Sequence, residues 1–203
     1  MPTPPTPTER ATLMATLRDA TAASHARTEA TVPVLDARLG LAGYAAVLAR
    51  FRDAYAALER ALAGVDDWPD GFDVVARRKL PLLERDLAWL RERGVATPPP
   101  RAIGEGAAPP RVAAAIGTLY VLEGATLGGQ VILRRIGARL GVAPDAGASF
   151  YAGYGDATGA MWKAFAAMAN AWGESHRDAW DEVVAAARAT FDAITEAFDA
   201  PAA

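Results

Sequence analysis

The stretch 112–133 does most to limit what this chain can fold into. It is apolar almost throughout, is rich in alanine, shows no alternation of apolar and polar residues, and is long enough to be a helix of some 22 residues. That length raises the question of a membrane span. Glu123 at its middle, Gln130 near its end and the glycines 117, 124, 128 and 129 favour a buried helix in a soluble protein instead. Each glycine costs a helix about 1 kcal/mol relative to alanine. At roughly 100° per residue, Gly117, Gly124 and Gly128 fall within about 20° of one line, and Gly129 widens the bare strip. A helix that gives up side chains along one face does so to let something approach its backbone or to bend. Two readings stay open: close packing of the small-x-x-x-small kind through Gly124 and Gly128, or a flat ligand lying on the backbone.

The rest of the chain reads the same way. It has 203 residues, 49 of them alanine, so helices are expected throughout. Thr8 or Thr12 caps a first helix to about residue 30, and a second spans about 42–62 after the break at Gly40. A third covers about 72–93 and is bent at Pro81; a fourth covers 111–140. A glycine-rich loop, 141–155, carries Phe150, Tyr151 and Tyr154. A fifth helix, 158–172, stops at Gly173, and Ser175 with Asp178 caps a sixth that runs to about residue 198. The expected fold class is all-α, a single multi-helical domain over 9–203. Residues 1–8, Pro/Thr-rich and without the basic and apolar regions of a signal peptide, are expected to form a disordered leader. A cytoplasmic location follows.

Composition removes several chemistries. No cysteine means no disulfide, thiolate nucleophile, iron–sulfur cluster or thiolate-ligated haem. Two histidines, His25 and His176, leave little room for a multi-histidine metal site. A net charge of -3 gives no case for nucleic acid. His25 has Glu29 four residues on, so the carboxylate can accept the imidazole's second N–H and fix its tautomer, a common support for a metal-ligating histidine. An ordinary surface His/Glu pair has the same spacing. One axial histidine suits haem, whose porphyrin supplies the other ligands.

Several segments together resemble the haem oxygenases. Leu119-Tyr-Val-Leu-Glu-Gly124-Ala-Thr-Leu-Gly128-Gly129-Gln-Val-Ile132 resembles their glycine-rich distal helix, most closely that of the bacterial biliverdin-producing branch found with bacteriophytochromes. Leu17-Arg-Asp-Ala-Thr-Ala-Ala-Ser-His25-Ala-Arg-Thr-Glu29 resembles the proximal helix, with its axial histidine and His-x-x-x-Glu spacing. Arg78-Lys-Leu-Pro-Leu-Leu-Glu-Arg-Asp-Leu-Ala-Trp89 is similar to a third family helix, and the stretch from Ala187 through Phe191 to Phe198 to the closing one. The similarity spans about residues 10–198, with the proximal and distal segments about 100 residues apart.

The resemblance implies haem sandwiched between the helix of His25, the iron ligand, and a kinked helix bearing Gly124, Gly128 and Gly129. It implies cleavage of haem, at once cofactor and substrate, with O2 and electrons from a ferredoxin or reductase. The products are biliverdin, CO and ferrous iron, with a bacteriophytochrome as one possible acceptor of biliverdin. Arg18 and Lys163 match basic positions that would pair with the propionates, Tyr120 adds a hydroxyl, and Glu29 orients His25. Taken alone, Arg18 and Lys163 read as solvated charges and Phe191, which would pack on the macrocycle, as core. Tyr55 matches a tyrosine near the family's distal water network, and Gly124 and Gly128 leave room for bound dioxygen.

At one position the chain departs from the pattern. The distal aspartate of better-known members falls at Ala125, which has no hydrogen-bonding side chain. Tyr55, Thr126 or the glycine backbone would have to hold water instead. A haem-binding protein of the same fold without turnover is therefore the alternative. A thiamin-pathway hydrolase on a similar scaffold normally uses a cysteine, which is absent here. A purely structural bundle leaves the glycine strip and the His25–Glu29 pairing as coincidences.

Overall fold

A computed structural model describes residues 11–101 and 110–199. The proposed leader and the Thr8 cap lie outside the described residues. Six long helices and one short turn make up the fold: α1 (Leu13–Thr31), α2 (Leu41–Ala63), α3 (Leu80–Glu92), α4 (Val112–Leu140), α5 (Ser149–Ala152), α6 (Thr158–Ser175) and α7 (Trp180–Asp199). No strand occurs among the described residues.

Local chemistry accounts for some boundaries. The Thr12 hydroxyl accepts from the Ala15 amide at 3.2 Å and opens α1. α4 is helical without interruption for 29 residues and closes at Gly141, whose φ of 67° is the left-handed conformation that glycine takes at no steric cost. Three expected helix boundaries need correction. The third helix does not start near residue 72 and bend at Pro81; it starts at Leu80, with Pro81 in its first turn, where a missing N–H costs nothing. The preceding residues hold a 3₁₀ turn, Val75–Arg77. The Glu59 carboxylate, reaching from α2, accepts from the amides of Lys79 and Leu80 at 2.5 and 3.1 Å and so caps α3 from a distance. Gly173 does not stop α6. It lies inside the helix because a Cβ there would stand 2.9 Å from Leu13 Cβ and 3.2 Å from the Trp180 indole nitrogen. Nor do Ser175 and Asp178 form a cap: Ser175 ends α6, and the Arg177–Ala179 turn before α7 opens without a side-chain cap.

α7 packs on both α1 and α4, and α2 pairs with α3. One continuous core runs between them through Leu13, Leu17, Leu48, Leu83, Leu90, Ile116, Leu119 and Phe165. By length and hydropathy α4 passes for a membrane span, but 56% of its apolar window is buried inside the protein, as in a core helix. α5 is a single turn held by Asp86 of α3, whose carboxylate accepts from the Ser149 and Phe150 amides, both at 2.8 Å, and from the Ser149 hydroxyl. Burial pushes the Asp86 carboxyl above its ordinary pKa, and these donors pull against it. The expected glycine-rich loop is thus partly helical, with Phe150 and Tyr151 buried.

Candidate functional site

α1 and α4 face each other across a cavity of about 790 Å³. Phe51 and Tyr55 of α2, Phe150 and Tyr151 of α5, Trp162 of α6 and Phe191 and Ile194 of α7 close its sides. The lining is largely apolar with a few polar groups, the usual character of a small-molecule site.

On the α1 wall, His25 Nδ1 stands 3.4 Å from Glu29 Oε2, and both side chains are more than half exposed. The imidazole meets the Phe191 ring edge-on at 5.7 Å. With Nδ1 turned to Glu29, Nε2 is the ring nitrogen left for a ligand. No group of three His, Asp or Glu side chains comes together as a metal site among the described residues.

On the α4 wall the four glycines divide into two pairs. A Cβ on Gly117 would lie 2.2 Å from the Val183 carbonyl of α7, and one on Gly129 would lie 2.7 Å from the Tyr151 carbonyl of α5. These two let backbones touch. Gly128 has nothing within 4 Å of a built Cβ, and Gly124 meets only Trp162, at 3.8 Å. Both line the cavity, so helix packing through Gly124 and Gly128 is not what the structure contains; bare backbone faces open space there. The pairs should separate by stability. Gly117→Ala is expected to destabilise by about 2 kcal/mol or more, from overpacking against a carbonyl that cannot retreat. Gly128→Ala should be neutral or gain up to about 1 kcal/mol from helix propensity. Chemical unfolding of the two variants checks this, and equal destabilisation would contradict the division.

The remaining predicted residues fall at distinct places. Tyr55 lines the cavity, is 1% exposed, and has no hydrogen-bond partner for its hydroxyl among the described residues. Burial, reinforced by Glu59 and Glu123, raises its pKa above the ordinary tyrosine value, so the phenol keeps its proton. Ala125 and Thr126 also line the cavity, but the Thr126 hydroxyl is already spent on the Glu123 carbonyl at 2.6 Å. Tyr120 lines the cavity with its ring against Trp162 at 6.0 Å. Arg18 and Lys163 do not line it. Arg18 is exposed and paired with Asp19 at 2.9 Å, within electrostatic reach of Tyr120; Lys163 is exposed beside Trp162. Neither side chain is part of the cavity wall.

Sequence reasoning did not single out the ionic cluster behind Gly124. Glu123, fully buried, holds Lys79 Nζ at 2.8 Å, Arg77 Nη1 at 2.6 Å and the Tyr154 hydroxyl at 2.6 Å. Lys79 Nζ also donates to the Tyr154 hydroxyl, at 2.7 Å. Burial lowers the Lys79 pKa, and Glu123 opposes the shift. The signals were present: a carboxylate in the middle of an apolar run, and the basic run Arg77-Arg78-Lys79. Neither says what it pairs with.

Comparison with known proteins bears on the family and the fold. The family model for heme oxygenase matches residues 11–200. The fold superposes on a solved heme oxygenase from Neisseria meningitidis, described in NO- and CO-bound crystal structures, with a TM-score of 0.68. That match covers 94% of each chain at 22% identity. No curated protein sequence matches. With nearly its whole length under the family model and a fold to match, the chain belongs to the heme oxygenase family.

Proposed function

We propose that this chain is a heme oxygenase that binds haem in the α1–α4 cavity and cleaves it to biliverdin, CO and ferrous iron. The observation that carries the reading is the pair of glycines, 124 and 128, standing bare opposite His25 across a cavity of about 790 Å³. A flat macrocycle fits a cradle in which a Cβ at Gly128 would meet nothing. Haem would supply the iron that activates O2 and the meso carbon that is oxidised.

The protein's part is binding and orientation. His25 Nε2 would hold the iron, with Glu29 accepting from Nδ1 to fix the tautomer. Phe191, edge-on to His25, limits rotation of the imidazole. The apolar lining keeps bulk water out, and the exposed backbone at Gly124 and Gly128 admits a diatomic that side chains would block. The Tyr55 hydroxyl holds a proton on the distal side, where Ala125 offers none. Electrons come from outside, from a ferredoxin or reductase. We place the protein in the cytoplasm and in the branch that supplies biliverdin to bacteriophytochromes, on the likeness of the segment around Gly124.

A second reading, haem binding without turnover, is favoured by one observation: Ala125 lacks a carboxylate and the Thr126 hydroxyl is committed to Glu123. Adding hemin to the purified protein and then ascorbate or a ferredoxin system in air separates the two. Loss of the Soret band with growth of biliverdin absorbance is expected. A persistent oxy-haem spectrum would establish the binding-only reading, and no Soret shift on adding hemin would remove both.

A further inference from the structure

Tyr151 lines the cavity, is 3% exposed, and buries its hydroxyl with no hydrogen-bond partner among the described residues. A fold loses the full desolvation of such a group and gains nothing back, so an orphaned hydroxyl calls for an explanation. The ring is fixed on two sides. It stacks on Tyr44 at 6.2 Å, and Phe150 meets it edge-on at 5.2 Å. Neither polar neighbour serves it. Tyr44 gives its proton to the Gly147 carbonyl at 2.9 Å, and the Asp86 carboxylate is taken up by the amides of Ser149 and Phe150 and the Ser149 hydroxyl. The backbone of Tyr151, meanwhile, presses on α4: a Cβ at Gly129 would stand 2.7 Å from the Tyr151 carbonyl. The glycine at 129 thus seats this tyrosine next to the bare backbone of Gly128.

Tyr55 of α2 is the second phenol in this wall without a partner for its hydroxyl. The two are within electrostatic reach of each other. Burial above all raises both pKa values beyond the ordinary tyrosine value, so each hydroxyl keeps a proton to donate. We propose that Tyr151 and Tyr55 form a two-donor site for one water-sized hydrogen-bond acceptor, a water or a small anion, beside the distal face of the haem. The proposal rests on the haem reading above. It gives Tyr151 a share in the work that Ala125 cannot do and assigns a ligand to a group that otherwise only costs the fold stability. Thr126 is no substitute, since its hydroxyl is held by the Glu123 carbonyl. A pair of neutral donors also selects by acceptor strength. An anion such as fluoride gains from them, whereas carbon monoxide, a weak acceptor, gains little.

Tyr151→Phe removes the oxygen and keeps the ring, and two measurements read its effect. In the haem-free protein the variant is expected to melt about 2 °C or more above wild type, because it deletes a stranded polar group. A structural hydrogen bond would give the opposite sign, so a lower melting temperature overturns the proposal. In the ferric haem complex, fluoride followed by optical titration should bind about tenfold more weakly to Tyr151→Phe than to wild type, and Tyr55→Phe should show a similar loss. Carbon monoxide affinity of the ferrous complex should change by less than about twofold. Fluoride binding equal to wild type in Tyr151→Phe, or an equal loss for fluoride and carbon monoxide, overturns the proposal while leaving the haem reading in place. Wild type that shows no Soret shift with hemin overturns the haem reading, and this site with it.

Discussion

Replacing His25 by alanine is expected to remove the axial-imidazole signature from the ferric haem complex and to lower turnover by more than about 100-fold, beyond what loss of a supporting hydrogen bond alone costs. The reason is scarcity. His176, the other histidine, is exposed, stacked on Trp172 at 4.4 Å with its Nδ1 on the Trp172 carbonyl, and is not among the cavity residues. Nothing on the α1 wall can replace the imidazole nitrogen, since Thr28 and Glu29 offer only oxygen, which would give a different spectrum. The fold should survive, because the His25 side chain is 57% exposed and its contacts there are Glu29 and the edge of Phe191. Added imidazole should enter the vacated space and restore the spectrum. Glu29→Gln keeps an acceptor at the same place, so its effect should be milder, about tenfold. Optical spectra of the three proteins with hemin decide the matter. An unchanged spectrum in His25→Ala would refute the ligand assignment.

The long helices were legible because their ends are local. Thr12, Gly40 and Gly141 mark α1, α2 and α4 by chemistry that acts within a turn, and the structure places those ends within a residue or two of the expected ones. The start of α3 was not legible. Its first amides are capped by Glu59, about twenty residues earlier, and no short-range rule reports such a partner. Gly173 misled for the same reason: a glycine reads as a stop, yet here it admits Leu13 and Trp180. The glycine strip was visible as a pattern but not as two kinds of surface. Gly117, Gly124 and Gly128 share one line on α4, and whether a neighbour's carbonyl or a void lies opposite depends on where α5 and α7 come to rest.

Glu123→Ala is expected to destabilise the protein by about 3–5 kcal/mol, the cost of leaving buried charge unpaired. Glu123 is one residue from Gly124 and accepts from Lys79, Arg77 and Tyr154, while Lys79 is 1% exposed and Arg77 7% exposed. Removing the acceptor strands two cations where water cannot reach them. The loss should depend on pH in a definite direction. Burial already lowers the Lys79 pKa in the fold, and without Glu123 nothing as close opposes that shift. Between this lowered value and the ordinary lysine value of about 10.4, the unfolded chain binds the extra proton, so stability rises with pH across that window. The deficit of Glu123→Ala against wild type should therefore shrink as the pH approaches 10, leaving the part that belongs to Arg77, whose guanidinium keeps its proton. Glu123→Gln, which keeps an acceptor for one donor, should lie between the two. Urea unfolding at two pH values measures all of this. A deficit that is constant with pH would mean that Lys79 is neutral already in the wild-type fold. The triple variant Arg77→Met, Lys79→Met and Glu123→Leu, which strands no cation of the cluster, discriminates further: if the cluster exists for stability, the triple variant stays weakened, whereas apolar replacement that restores the midpoint means that the charges are kept for the site in front of them. There, any tilt of α4 at residue 123 moves the backbone of Gly124 relative to His25.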